Sequence, residues 1–145
     1  MDMEANAALL KKKGLKITTP RLAVLEIFQN SKERHLSAED VYKEALSKEG
    51  DLGLATVYRV LTQLSEVGLL AATNFETGKT TFELNEGGHH DHLVCLDCGH
   101  VEEFFDADIE DRQHAIARAK GFEIADHALS LYAHCTRNPC PHKNR

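Results

Sequence analysis

Apolar side chains recur at helical intervals early in the chain, beginning with Leu22, Leu25 and Phe28. Thr18-Thr19-Pro20-Arg21 precedes them, a capping hydroxyl followed by a proline at the first helical position, so a helix to about Asn30 is expected. Ser37-Ala38-Glu39-Asp40 has the form of a capping box, and Val41, Ala45 and Leu46 continue an apolar face until Gly50. Past Gly50-Asp51-Leu52-Gly53 a third helix carries Leu54, Val57, Leu61 and Leu64 on one side and Ala55, Arg59 and Thr62 on another, ending at Gly68. The short turn between these last two helices suggests helix-turn-helix. Leu69 to Phe75 and Thr80 to Leu84 are β-prone runs around Thr77-Gly78-Lys79, the composition of a hairpin turn. Three helices and a hairpin make a winged helix, although any small helical domain shows such periods.

The later pattern is different. His89 to His92 reads as extended, a helix opened by Glu110 runs to about Lys120, and Phe122 to His134 reads as one strand with His127, Leu129, Leu131 and Ala133 on a shared face. Residue types shift at the same place: all four cysteines and eight of the nine histidines lie in residues 85–145, and only His35 lies outside. Asn85-Glu86-Gly87-Gly88 suits a connection between two modules, residues 1–84 and 85–145.

A chain of 145 residues, 42% hydrophobic and 28% charged, fits one ordinary domain or two small ones and is too short for an α/β barrel. No stretch approaches the roughly 18 apolar residues of a membrane span, and Met1 to Gly14 has no apolar signal core, so a cytoplasmic location without membrane contact is expected. The net charge of −6 argues against nucleic acid. That average hides an asymmetry: residues 1–84 hold 11 basic against 12 acidic residues, residues 85–145 hold 6 against 11. Lys11, Lys12, Lys13, Lys16 and Arg21 face only Asp2 and Glu4 in the first 22 residues, which leaves a local basic arm.

A recognition helix needs exposed donors and flat surfaces near its N-terminus. Tyr58 suits a thymine methyl, Arg59 a guanine edge or a phosphate, Thr56 a phosphate, and Lys16 with the lysines before it the backbone or an adjacent minor groove. The ordinary alternatives are a half-buried tyrosine and a solvated arginine. Cys95-Leu96-Asp97-Cys98 and Cys135-Thr136-Arg137-Asn138-Pro139-Cys140 are two close pairs separated by 36 residues, so four thiolates can close a tetrahedral Zn²⁺ site. A redox dithiol or a disulfide is disfavoured by the matching second pair and the absence of a signal peptide.

His89-His90-Asp91-His92, if extended, puts His90 and His92 on one face and His89 and Asp91 on the other, which favours two separate sites. Glu83, Glu103 and Glu110 are further ligand candidates, each by itself an ordinary surface carboxylate. A strand from His127 to Cys135 would span about 26 Å, so these two would not share one ion. By itself His127 reads as a buried, hydrogen-bonded histidine.

Gly14-Leu15-Lys16-Ile17-Thr18-Thr19-Pro20-Arg21, Gly53 to Leu61 (Gly-Leu-Ala-Thr-Val-Tyr-Arg-Val-Leu) and His89-His90-Asp91-His92-Leu93-Val94-Cys95-Leu96-Asp97-Cys98-Gly99 together closely resemble the ferric uptake regulator family, over nearly the whole chain. The resemblance implies an α+β protein, an N-terminal winged helix-turn-helix DNA-binding domain followed by a small α/β dimerisation domain. It implies a metal-dependent repressor of iron-uptake genes that binds A·T-rich palindromic operators as a homodimer, with pairing of dimers into tetramers left open. It assigns a regulatory site for Fe²⁺, replaceable by Mn²⁺, Co²⁺ or Zn²⁺, to His35, Glu83, His90, His92 and Glu103. It assigns a second site to His89, Asp91, Glu110 and His127, and structural Zn²⁺ to Cys95, Cys98, Cys135 and Cys140. Tyr58 would contact bases with Arg59 nearby, and Lys16 the minor groove. Thr62 stands where many members have asparagine. Zinc- and peroxide-sensing relatives share the fold and the cysteines, and His-His-Asp-His favours the iron sensor. A metal-dependent hydrolase built on His89, Asp91 and Glu110 leaves the helix-turn-helix unexplained and has no His-Glu-x-x-His motif; a zinc storage protein would bind metal without any change in DNA affinity.

Overall fold

A computed structural model describes residues 3–47, 52–86, 89–137 and 140. The chain divides into two compact units, Met1–Glu86 and Gly87–Arg145. The glycine pair Gly87-Gly88 and the Gly50-Asp51 turn lie outside the described residues.

The first unit contains α1 (Met3–Lys12), α2 (Thr19–Asn30), α3 (Ala38–Ser47), α4 (Leu54–Glu66) and an antiparallel hairpin of β1 (Leu70–Asn74) and β2 (Thr80–Leu84). Part of the expected basic arm is helical: Lys11 and Lys12 end α1, whose Leu10 is fully buried. Its buried Asn6 exchanges two hydrogen bonds with Gln29 of α2, at 2.8 and 3.0 Å. Helix α2 starts one residue earlier than expected, with Thr18 Oγ1 accepting from the Arg21 amide and Pro20 one position further in. At α3 the capping box is reciprocal: the Asp40 amide donates to Ser37 Oγ at 3.1 Å and the Ser37 amide to the Asp40 carboxylate at 3.0 Å. Leu46 is exposed, because Val41 and Ala45 sit one helical turn apart on the core side and the next position rotates away.

Helix α4 packs against α2 and α3 and buries Val57, Val60, Leu61 and Leu64, while Ala55, Tyr58, Arg59 and Thr62 face outward. It ends where Gly68 takes a φ of +83°, which lets the Leu69 amide reach the Leu64 carbonyl and turns the chain directly into β1. Leu61 is fully buried in the hydrophobic core of this unit. Leu61→Ala is expected to cost about 2–5 kcal/mol, checked by the urea midpoint of helical circular dichroism.

The second unit holds a three-stranded sheet in the order β4-β3-β5, with β3 (Asp91–Cys95) antiparallel to β4 (Val101–Phe104) and parallel to β5 (Ser130–Ala133). Helix α5 (Ala107–Ala119) connects β4 to β5; Asp106 caps it, so Glu110 lies one turn inside rather than at its opening. The expected strand from Phe122 to His134 is corrected to Ser130–Ala133, because β3 offers only the positions from His92 to Cys95 for pairing. Val94 is the one buried hydrophobic residue among the described residues of this unit, and α5 buries none of its own.

Candidate metal centres and nucleic-acid interface

In the first unit an isolated antiparallel bridge joins Leu36 to Phe82, with reciprocal backbone hydrogen bonds of 2.9 and 2.8 Å. Its neighbours on either side of the bridge are His35 and Glu83, both buried, and their side chains meet with Nε2 2.9 Å from Oε2. Arg34 Nε also donates to Glu83 Oε2, at 3.3 Å, and Arg34 Nη2 to the Glu86 carbonyl. Arg34 had no signal in the sequence beyond lying next to His35.

In the second unit the alternation expected for His-His-Asp-His holds, although β3 begins only at Asp91. His92 pairs with Glu103 across β3 and β4, His90 contacts the Glu103 carboxylate, and the His90 and His92 rings lie edge to face with centroids 5.2 Å apart.

On the other face His89, Asp91, Glu110 and His127 each bring a ligand atom within 4.8 Å of the others. His89 Nε2 lies 2.9 Å from Asp91 Oδ1 and 3.1 Å from Glu110 Oε1, and His127 Nε2 lies 3.0 Å from Glu110 Oε2. The two rings approach to 4.2 Å between centroids. Protons satisfy this group poorly: one Nε2 faces two carboxylates, and Asp91 is fully buried with no hydrogen-bond donor to its Oδ2 among the described residues. Two imidazoles and two carboxylates converging in this way suit a divalent cation. His127 is therefore part of a polar cluster, not of an apolar strand face. The cluster that holds His127 contains no cysteine, and no continuous strand runs from His127 to Cys135.

Cys95, Cys98 and Cys140 have sulfurs within 4.8 Å of one another, with Cys98 Sγ 3.7 Å from Cys140 Sγ. Tetrahedral Zn–S bonds of about 2.3 Å place sulfurs about 3.8 Å apart, whereas a disulfide needs about 2.05 Å. All four cysteines are free of disulfides. Cys135 lies outside the tight group of three; its thiol reaches the Arg137 carbonyl at 3.6 Å, and it lines with Cys95 and Cys140 a cavity of about 150 Å³. Burial pushes the Cys95 thiol up, but hydrogen bonds from the backbone of Cys98 and Asp97 and from the Cys98 side chain outweigh it, leaving the pKa below its ordinary value. The backbone of Arg137 leads in lowering Cys135. Both thiols thus lean toward the thiolate that a zinc site requires.

On the outward face of α4, Arg59 Nη2 donates to Thr56 Oγ1 at 3.3 Å, and the Tyr58 hydroxyl donates to Glu39 Oε1 at 2.5 Å. Lys16 is exposed in the loop between α1 and α2. The phenol bond lowers the Glu39 pKa and raises that of Tyr58. A lowered carboxyl pKa stabilises the fold above pH 4.5, and this contribution is lost as pH falls through the folded value. In Tyr58→Phe the Glu39 carboxyl is expected to titrate closer to 4.5 than in the unaltered chain, read from its side-chain carbon shifts by NMR. No local pattern in the sequence marked Glu39 as this partner.

Residues 12–132 match the model of the ferric uptake regulator family. The chain belongs to that family. It is 67% identical over 136 residues to the ferric uptake regulation protein of Cupriavidus metallidurans, an alignment covering 94% of this chain and 95% of the relative. Among solved structures, the ferric uptake regulator of Vibrio cholerae matches with a TM-score of 0.83 at 48% identity, covering 90% of this chain and 99% of that one. The Pseudomonas aeruginosa ferric uptake regulator, solved with manganese, matches with a TM-score of 0.74 at 48% identity, covering 91% and 98%. As a ferric uptake regulator, the chain is a metal-responsive transcriptional regulator of iron uptake with a winged helix-turn-helix fold. Among the described residues no helix is long and apolar enough to cross a membrane.

Proposed function

We propose that the chain works in the cytoplasm as a homodimeric, Fe²⁺-activated repressor of A·T-rich palindromic operators. His35, Glu83, His90, His92 and Glu103 would form the regulatory site, and the four cysteines would hold structural Zn²⁺. His89, Asp91, Glu110 and His127 would form an additional metal site. The observation that carries this reading is that each unit holds part of a ligand set at a backbone-defined position. The Leu36–Phe82 bridge sets His35 beside Glu83, and the β3–β4 register sets His92 beside Glu103. A bound divalent cation supplies positive charge and a demand for fixed coordination. Ligands drawn from both units would constrain one unit relative to the other, and the DNA-competent arrangement would gain population. Mixed imidazole and carboxylate donors accept Mn²⁺, Co²⁺ and Zn²⁺ as well as Fe²⁺, and cellular availability helps select iron. The manganese in the Pseudomonas relative supports using Mn²⁺ as a surrogate.

Thr56, Tyr58 and Arg59 in the first turns of α4 would meet the major groove, with Lys16 at the minor groove. The dimer reading is supported by the second unit, where Leu93, Leu96, Phe105, Ile116, Phe122 and Leu131 are exposed, Phe105 by 63% and Phe122 by 71%. A unit this poor in buried apolar area gains a core by pairing with a second copy, and two-fold symmetry matches a palindrome.

The test is a titration of an A·T-rich palindromic duplex at fixed salt, using chelator-treated protein that retains its cysteine-bound zinc, with and without Mn²⁺. Tightening by tenfold or more, about 1.4 kcal/mol of coupling, is expected. Equal affinity in both states would overturn the metal-activated reading.

A further inference from the structure

Arg21 adds to the basic balance of the N-terminal segment, yet its guanidinium is turned onto acceptors of the protein itself. Its Nε and Nη2 both donate to Gln63 Oε1, at 3.2 and 3.1 Å, and its Nη1 donates to the Lys16 carbonyl at 2.7 Å. Gln63 lies on α4, the helix that carries Thr56, Tyr58 and Arg59 nearer its start. One side chain therefore ties the backbone of the Lys16 loop to the helix read as entering the major groove.

The loop is fixed on both sides of that tie. Upstream, Gly14 has a φ of +78°, so that the Leu15 amide closes on the Leu10 carbonyl at 2.9 Å and the Gly14 amide on the Lys11 carbonyl at 3.0 Å. Downstream, Thr18 caps α2 by accepting from the amide of Arg21 itself. The Lys16 side chain is left to solvent. A loop already ordered in the free protein loses little conformational entropy when its lysine binds, and the planar guanidinium spans two acceptors that a lysine ammonium could not hold in the same geometry.

We infer that Arg21 and Gln63 form a brace that sets Lys16 in register with α4, which makes both of them positioning residues for operator binding although neither contacts DNA. The inference rests on the reading of Lys16 as a minor-groove contact.

The test uses the full chain with its zinc, Mn²⁺ and an A·T-rich palindromic duplex, and compares Lys16→Ala, Gln63→Ala, Arg21→Lys and the Lys16→Ala/Gln63→Ala double variant. Each single variant is expected to bind about three- to tenfold more weakly, and the double variant no more weakly than Lys16→Ala alone, because residues acting as a unit are not additive. Replacing the flanking A·T pairs by G·C should weaken the unaltered chain more than Gln63→Ala. A brace of purely structural value would lower the thermal midpoint without this change in flank preference. Should Gln63→Ala fold poorly, Arg21→Lys carries the same comparison with the charge kept. Losses that multiply in the double variant, or Gln63→Ala binding like the unaltered chain while Lys16→Ala is weakened, would overturn the brace alone. Lys16→Ala binding like the unaltered chain would overturn the minor-groove reading and the brace with it.

Discussion

A chain carrying Cys98→Ala is expected to keep Met1–Glu86 folded and to lose the ordered structure of Gly87–Arg145. The reason is an unequal distribution of apolar burial. The first unit encloses the cluster running from Leu10 through Leu25, Leu61 and Leu64 to Phe82, whereas the second has Val94 alone among its described residues. Structural Zn²⁺ sites contribute about 10–16 kcal/mol, as much as the whole stability of an ordinary domain, about 5–15 kcal/mol. Such an ion would also close a loop, because Cys95 and Cys98 flank the end of β3 while Cys140 follows β5. Hydrogen exchange separates the outcomes. Amides of β3, β4 and β5 should exchange rapidly in the variant while those of α2 and α4 stay protected. Undiminished protection in β3 would show that the cysteines do not hold the unit together.

The second large effect is expected from His90→Ala, which should abolish most of the Mn²⁺-dependent gain in operator affinity, tenfold or more, and leave the fold unchanged. His90 is better suited to this test than His35. His35 is buried beside the Leu36–Phe82 bridge, so its removal would damage the first unit as well. His90 is partly exposed, precedes β3, and lies edge to face with His92 while touching Glu103. Its loss removes one imidazole from the ligand set, and the surviving His92 and Glu103 hold a cation more weakly. The measurement is duplex binding across a Mn²⁺ series, with circular dichroism as the fold control. A variant whose operator affinity still rises with Mn²⁺ as in the unaltered chain would remove His90 from the regulatory set.

Helix α4 was legible in the sequence because three independent signals coincide there: apolar residues at helical spacing, of which Val57, Leu61 and Leu64 are buried and Leu54 in the first turn is exposed, with Gly53 before them and Gly68 after. Ser37 and Asp40 were legible for a similar reason, since a capping box is a purely local motif. The division of His89, His90, Asp91 and His92 between two faces followed from the pleat of an extended backbone, which acts even ahead of the regular strand.

Helix α1 was hidden by its lysines, because one fully buried leucine and a buried asparagine that bonds Gln29 leave a weak apolar period. The run from Phe122 alternates like a strand, but strand formation needs a partner, and β3 is only five residues long. The ties of Arg21 to Gln63, Tyr58 to Glu39 and Arg34 to Glu83 span 42, 19 and 49 residues, and no local pattern encodes such pairings.

Strand β2 begins at the hairpin turn with Thr80 and carries Glu83 three residues further on, about 10 Å along the strand. It is stiffened on both flanks, by β1 along its length and by Leu36 at Phe82. Held in this way, the strand is a short stiff beam with Glu83 near one end and the hairpin turn of the wing at the other.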